Sequence, residues 1–557
     1  MRQSLRALAP VLALLIAQSA RADDFTLDNV TMDTALARYS AARVEVYGAP
    51  FTKDEALRLL DPAQPLTYAE RLARLDAARI VIPELVTQTH AGDYTQTTTY
   101  RDIVLNGVLH GKVAMLDSAG AAVESRRGEA NDMKGKVGAM HAEGVDIIAG
   151  VRMTMTARGA DAQKQIAVAR FSASGVDAIT ADRSRLHIDT VTGADIGGRA
   201  LAAPLGGLIE LTPKKETKPT PDQERAVAGM TMDMVESIDM GALELKGVAF
   251  ATADDKPPAR IARIAIAGAS DGRIRAVAIE GLDTQNAFGP VKLAQATIEG
   301  YDMRPTLAGA RETPARKVLP RFDKAALESL SVAGAKGPIG VDRASIAVTQ
   351  WLDFAPLAFS ASADHIRAPV ESLPLFAGLG ALGYDSVDLS ARIETAYDSA
   401  TNVVAVRHLV VDDPHIGSAD LSLSLGAVSP DVLAKGGASA MVPAMTARFL
   451  SFGARLQDHG LVDRAVATQA RQKAIAPEAA RKALADALGA GVLAIAGLKA
   501  SDPRAAPLIG ALTAFMAGGK TLEASIVAPD GPSLLELTMA AQFGTLLDKL
   551  KIEASAR

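Results

Sequence analysis

Hydrophobic and polar positions follow three regimes along this chain. Around residues 52–78 they carry helix signals: Thr52 and Glu55 stand at capping-box spacing before the apolar run 56–60, which Asp61-Pro62 ends. Thr67 and Glu70 repeat the device before residues 71–78, so two short helices are predicted. Beyond them, short apolar stretches such as 100–108, 145–155 and 166–176 are punctuated by Gly and Asp, which is the texture of β-structure. From about residue 431 the chain turns Ala-rich, with candidate helices at 445–456, 461–474, 477–498 and 505–517. Segments 521–527 and 534–539, joined across Pro529-Asp530-Gly531-Pro532, read as a terminal hairpin.

The better-defined strands show their faces. Leu243 and Leu245 alternate with Glu244 and Lys246, and Val387, Leu389, Ala391 and Ile393 alternate with Asp388, Ser390, Arg392 and Glu394. Residues 403–411 are apolar on both faces except at Arg407 and His408, and Leu421, Leu423 and Leu425 return to alternation with serines. With turn signals at 398–402 and at Asp412-Asp413-Pro414, residues 387–426 are expected to form a three-stranded meander with a more buried central strand. A loose motif recurs at Gly144-Val145-Asp146, Gly175-Val176-Asp177, Gly281-Leu282-Asp283 and Gly300-Tyr301-Asp302, with Gly107-Val108 and Gly247-Val248 as partial copies. Its spacing is too irregular for a solenoid, and it reads as a strand ending in a bend where Gly relieves strain and Asp bonds local N–H groups.

The expected fold class is α+β and β-rich: extended antiparallel sheet or meander regions with a helical C-terminal region ending in a hairpin. Residues 212–223 carry three prolines and three lysines without apolar periodicity, so a linker or long loop is placed there. It separates an N-terminal α+β region with a β-rich meander (23–211) from a β-rich region (224–430), followed by the helical region with its hairpin (431–557).

Residues 1–22 put Arg2 and Arg6 ahead of the apolar run 7–17 and end on Ala20-Arg21-Ala22, the layout of a signal peptide cleaved after Ala22. The expected location is the periplasm. The run is shorter than the ~20 residues a transmembrane helix needs, and 488–498 is likewise short and flanked by Asp486 and Lys499, so a buried bundle helix is expected there. No transmembrane span is expected in the mature chain. With no cysteine there is neither a lipoprotein attachment point nor a disulfide, and stability must come from core burial. The formal charge of −5 becomes more negative once Arg2, Arg6 and Arg21 leave with the leader, which argues against nucleic acid as a partner. An outer-membrane barrel would need aromatic girdles, and only 4% of residues are aromatic.

Candidate chemistry is sparse. Gly268-Ala269-Ser270-Asp271-Gly272 has nucleophile-elbow spacing, but a strand precedes it and another follows, so a hairpin turn explains the match. Gly519-Lys520-Thr521 lacks the earlier glycine of a phosphate loop and reads as a helix C-cap before a strand. His408, Asp412, Asp413 and His415 cluster around one predicted turn and could offer imidazole and carboxylate ligands to zinc. The opposing reading makes Asp-Asp-Pro turn chemistry and His408 a hydrogen-bonded core residue. His90, His110, His141, His187, His365 and His459 are scattered. No H-E-x-x-H, C-x-x-C, Rossmann glycine set or EF-hand loop occurs, so no catalytic residue, cofactor site or metal site is assigned, with His408, Asp413 and His415 as the only metal candidates.

Thr97-Thr98-Thr99-Tyr100-Arg101-Asp102-Ile103 with Gly107-Val108 and Gly111-Lys112-Val113, and Leu379-Gly380-Ala381-Leu382-Gly383-Tyr384-Asp385, resemble segments of uncharacterised exported proteobacterial proteins. Gln457-Asp458-His459-Gly460-Leu461-Val462 and residues 522–532 resemble them too. The repeated strand-Gly-apolar-Asp texture is distantly similar to AsmA-type proteins, whose long β-grooves handle lipid in the periplasm. That resemblance implies a groove and a lipid ligand but brings no catalytic residue. Two readings follow. The first is an exported, non-enzymatic envelope protein that binds an apolar ligand such as lipid, or acts as a scaffold for another envelope protein. The second is a periplasmic hydrolase or metal-dependent enzyme using Ser270 or the turn from His408 to His415.

Overall fold

The computed structural model describes residues 23–34, 37–61, 63–91, 93–128, 130–159, 163–203, 220–253, 257–312, 316, 318–352, 355–429, 445–495, 505–542 and 545–557. The expected leader, most of the expected linker 212–223 and residues 431–444 lie outside them. Strand dominates, every described strand pair is antiparallel, and helices concentrate toward the C-terminus, so the chain is α+β with β in excess. Its contacts divide it into two units, residues 1–279 with 302–316, and residues 280–301 with 317–557.

The first unit opens with β1 (Asp23–Asp33) and β2 (Ala37–Ala49), then α1 (Lys53–Leu60) and α2 (Tyr68–Leu72). Both helices start at the expected capping boxes, with Thr52 and Thr67 accepting from the backbone of Glu55 and Glu70, whose carboxylates reach back. The second helix is shorter than its pattern suggested, because β3 (Ala77–Ala91) starts within the run read as helix. β4 (Tyr94–Leu109) pairs along its length with β3. Its two halves then pair with two consecutive short strands, β5 (Lys112–Ser118) and β6 (Gly120–Arg127). β7 (Ala130–Val137) and β8 (Met140–Asp146) pair with β6 and β5 respectively, and both rejoin on the 16-residue β9 (Gln165–Thr180). β5–β6 and β7–β8 are thus two long strands, each broken once at the same height. From β9 the meander runs through β10 (Arg185–Gly198), β11 (Ile238–Ala251) and β12 (Ala259–Ser270).

Among the described residues three further helices follow in this unit. Residues 145–155, expected as strand, leave β8 at Asp146 and become α3 (Ile147–Met155), because Asp146 caps the turn by accepting from the Ala149 N–H at 2.9 Å. The last residues of the expected linker, 220–223, belong to α4 (Pro221–Ser237), which Thr220 caps with Gln223 in another capping box. After β13 (Arg273–Asn286) and β14 (Gly289–Asp302), α5 (Arg304–Arg311) packs on α4.

In the second unit, β14 is followed by β15 (Lys324–Gly334), β16 (Gly337–Trp351), β17 (Pro356–Pro369), β18 (Ser386–Asp398), β19 (Val403–Asp413), β20 (Gly417–Gly426) and β21 (Arg448–Asp458), each pairing with the next. The expected meander of 387–426 is β18–β19–β20, but its central strand is not the more buried one: Leu409 is 36% exposed and only Asp413 of β19 is buried. The expected helix at 445–456 is strand β21, held on both edges by β20 and β22 (Thr521–Val527). Tertiary pairing decides this segment, whose Phe449, Phe452 and Leu456 have the i, i+3, i+7 spacing of a helix face.

The expected helices then follow as α6 (Leu461–Lys473), α7 (Pro477–Ile495) and α8 (Ala506–Met516), which pack in sequence, α8 also resting on the terminal strands. β22 does have an antiparallel partner, but it is β23 (Lys551–Ala556), not 534–539. Residues 534–539 lie in α9 (Leu534–Gln542), because Ser533 and Glu536 form a capping pair; α10 (Leu546–Lys549) follows. Among the described residues no helix is long and apolar enough to cross a membrane.

The recurrent glycines do not end strands. Gly107, Gly144, Gly175, Gly247, Gly281 and Gly300 sit inside strands with φ between 58° and 67°. At Gly144 the pairing resumes in the same register on either side, Glu143 with Arg170 and Val145 with Val168, so the residue bends the strand without an insertion. A Cβ there would stand 2.8 Å from Ala169 Cβ, which leaves Gly as the fitting residue on both backbone and steric grounds.

Candidate functional site: an apolar face and a helix-covered cavity

The strand registers bring apolar residues into line. In the first unit one row crosses ten strands through successive Cα partners: Phe25, Val46, Ile80, Leu105, Leu116, Ala142, Phe171, Gly193, Leu243 and Ile266. In the second unit two adjacent rows on one face cross ten strands each. One runs Ile298, Ala325, Ile346, Ala361, Ile393, Leu409, Leu421, Ala454, Ala524 and Ala554. The other runs Ala296, Leu327, Ala344, Ala363, Ala391, Val411, Ala419, Leu456, Leu522 and Ala556. Because side chains alternate across a strand, the positions between them form a second face, where Ser345 meets Ser362 at 3.1 Å and Arg455 meets Glu523 at 3.6 Å.

Apart from Val46, Ile80 and Leu105 at the start of the first unit's row, these apolar rows are not a packed core. Of the two rows in the second unit only Leu522 is buried; Ile298 and Leu409 are exposed and the rest are half-buried. In the first unit, β9, β11 and β12 contain no fully buried residue. Leaving a Leu or Ile half exposed forgoes about 1 kcal/mol relative to full burial, and a row of them is a continuous apolar surface of the kind that marks an interaction site.

At the start of the first unit's row the face is covered. Val46, Ile80 and Leu105 of that row, with Leu27, Val44, Ile82 and Leu85 from neighbouring positions, form the floor of a cavity of about 300 Å³. Its roof is Leu59 and Leu60 of α1, Tyr68, Arg71 and Leu72 of α2, and Ile147 of α3. Around it lies an extended core cluster that includes Ala49, Ile103, Val108 and Val113. Protein cores contain few voids larger than a water molecule, and this space falls at the lower end of ligand-pocket volumes, roughly 300–1,000 Å³.

The polar groups of the cavity are Tyr68 and Arg71 in its roof and Tyr39 and Ser40 on β2. Tyr68 donates to Met32 Sδ at 2.7 Å, and burial pushes its phenol up to about 12. Tyr39, also lining the space, is raised for the same reason. Arg71 is 8% exposed and stacks over the Tyr68 ring at 5.3 Å; its Nη1 donates to the carbonyls of Leu59 (3.2 Å) and Asp61 (2.8 Å). Its Nε is buried without a hydrogen-bond partner.

The residues with expected chemistry fall elsewhere. Ser270 ends β12, and Asp271 and Gly272, both at positive φ, make the turn to β13, which is the hairpin the spacing implied. Its hydroxyl lies 3.0 Å from Lys164 Nζ and 3.1 Å from Asp271 Oδ2. Lys164 is no general base for it: burial alone would lower its pKa, but hydrogen bonds to Asp239 and Asp271 outweigh that and raise it, so the amine stays an ammonium. Gly519-Lys520-Thr521 lies between α8 and β22; Lys520 and Thr521 donate their N–H groups to the Arg557 carbonyl.

His408, Asp413 and His415 do not converge. A register shift on β19 turns Arg407 and His408 outward, so His408 is not the core residue of the opposing reading; it pairs with Asp420 at 3.3 Å. Asp413 uses both oxygens on backbone, accepting from the N–H of Asp388 and of His415 at 2.8 Å each. Among the described residues no three His, Cys, Asp or Glu side chains are grouped to hold a metal.

A family model described only as "Uncharacterized protein" matches residues 410–557, the stretch from the end of β19 to β23. No curated protein and no solved structure matches the chain.

Sequence reading missed the cavity. Its signal was there in part: two capping boxes place two short helices between β2 and β3, where a plain meander would need only a tight turn.

Proposed function

We propose that this is an exported, non-enzymatic envelope protein that holds apolar chains, lipid above all, against its sheet. One observation carries the reading: rows of apolar side chains stay in register across ten strands in each unit and, beyond the helix-covered start of the first unit's row, are left largely half exposed. A soluble sheet with one solvated face normally buries the other against a second layer. Here the apolar face needs an occupant, and flexible hydrocarbon matches a long, shallow, directionless surface better than a shaped polar substrate does. The leader-like residues 1–22 and the texture resembling AsmA-type grooves support the same reading, since both suit a protein that carries lipid across an aqueous space.

Native mass spectrometry of the protein purified from its own envelope, with lipid extraction of the same sample, tests this. Co-purifying lipid lost on introducing charge into the apolar rows is the expected result. Protein at its bare mass, with no uptake of lipid from vesicles, would overturn it.

A further inference from the structure

Arg71 presents a charge that the surrounding protein does not neutralise. It is more than nine-tenths buried, it lines a cavity whose other walls are mostly hydrocarbon, with the hydroxyls of Tyr39, Ser40 and Tyr68 as the polar exceptions, and its two hydrogen bonds run to neutral carbonyls. Nε has no hydrogen-bond partner, and among the described residues no carboxylate pairs with this guanidinium, whose contacts are two carbonyls and the Tyr68 ring. A buried cation without a counter-ion is costly and is retained where an anion arrives to meet it. Arginine's fixed fork suits a planar two-oxygen anion, and a carboxylate presents that geometry.

We infer that the cavity between β1–β4 and α1–α3 is a binding site for a single-chain anionic amphiphile, a fatty-acid-like carboxylate whose head pairs with Arg71 and whose tail fills the space over Val46, Ile80 and Leu105. This rests on the lipid reading above and narrows it. The volume of about 300 Å³ has room for one medium-length chain, not a two-chain phospholipid. Tyr68 and Tyr39 flank the head end as neutral phenols, so they add hydrogen-bond capacity without adding negative charge that would repel the ligand.

The test is isothermal titration of the delipidated full chain at pH 8 with dodecanoate, dodecanol, dodecyl phosphate and dodecyltrimethylammonium. Dodecanoate is expected to bind about tenfold or more tightly than dodecanol, because a buried charge-assisted hydrogen bond distinguishes them, and the cationic amphiphile is expected not to bind. In Arg71→Met the preference for the acid should vanish while dodecanol binding persists. Arg71→Lys, which keeps the charge, should retain part of the preference, and supplies the comparison if the Met variant fails to fold. Equal affinity of the wild-type chain for dodecanoate and dodecanol would overturn the anchor while leaving apolar-chain binding standing. Tighter binding of dodecyl phosphate than of dodecanoate would overturn the carboxylate assignment. No binding of any of the four would remove the cavity site and count against the lipid reading as well.

Discussion

The carboxylate of Asp189 on β10 lies over the α-carbon of Gly247 on β11, so close that a Cβ at 247 would stand 1.8 Å from Asp189 Oδ2. Asp189 is in turn held by His187 Nε2 at 3.0 Å, and Gly247 has φ +64°. Gly247→Ala must therefore both adopt a left-handed backbone and displace a fixed side chain, and is expected to destabilise by about 1–3 kcal/mol. Gly150→Ala is the control. That glycine lies inside α3 with no atom near its missing Cβ and no positive φ, so the change is expected to stabilise by up to about 1 kcal/mol. Urea unfolding followed by circular dichroism on both variants checks the pair, and equal effects would refute the packing account.

The apolar face of the second unit predicts an asymmetry between neighbouring residues. Leu421 lies in the first apolar row, opposite Leu409 and Ala454, whereas Ser424 points to the other face. Leu421→Gln is expected to reduce binding of a fluorescent acyl probe severalfold and to change stability little, since the side chain is only half-buried. Ser424→Gln is expected to leave probe binding unchanged.

Filling the cavity should separate stability from binding. Ala41 is 5% exposed and lines the space, so Ala41→Leu is expected to add about 1 kcal/mol of stability to the empty protein and to weaken dodecanoate. Thermal unfolding with and without ligand reads both effects, and a destabilised, normally binding variant would mean that the space is already filled by neighbouring side chains.

Two histidines give a pH dependence with a definite sign. The hydrogen bond that His141 donates to Asp117, then the one to Glu143, raises His141; the bonds that His187 donates to Asp177 and then to Asp189 raise His187. Each raised value means that the folded state holds the proton more tightly than the unfolded chain, whose histidines titrate near 6.5. The stabilisation is complete below that value and fades as pH rises through the folded value. Both rings are well exposed, so the effect on unfolding will be small. NMR titration should place both above an unperturbed histidine, and Asp117→Asn should bring His141 down without moving His187.

Some of this protein was decided locally and could be read from the chain. The capping boxes at Thr52 and Thr67, the meander of residues 387–426 and the helices around 461–473 and 477–495 depend on neighbours within a few residues, and the structure forms them. The hairpin at Ser270 was legible for the same reason, because Gly and Asp adopt the turn's backbone without strain. Most of what escaped was decided at long range. Residues 445–456 carry a pattern compatible with either helix or strand, and only the partners on each side choose, whereas 534–539 form a helix through the local Ser533–Glu536 cap, which the hairpin reading overlooks. His408 left its expected face through a single register shift, which reverses the side-chain alternation from that point. The ten-strand apolar rows and the unpaired Arg71 exist in no local window, since they arise when residues separated by hundreds of positions are set at the same height of one ladder. Sequence alone determined that this chain is β-rich, which short elements it builds and how they are capped. Register and burial, which depend on contacts between distant strands, decided that its apolar residues form a surface and that one arginine is shut in behind it.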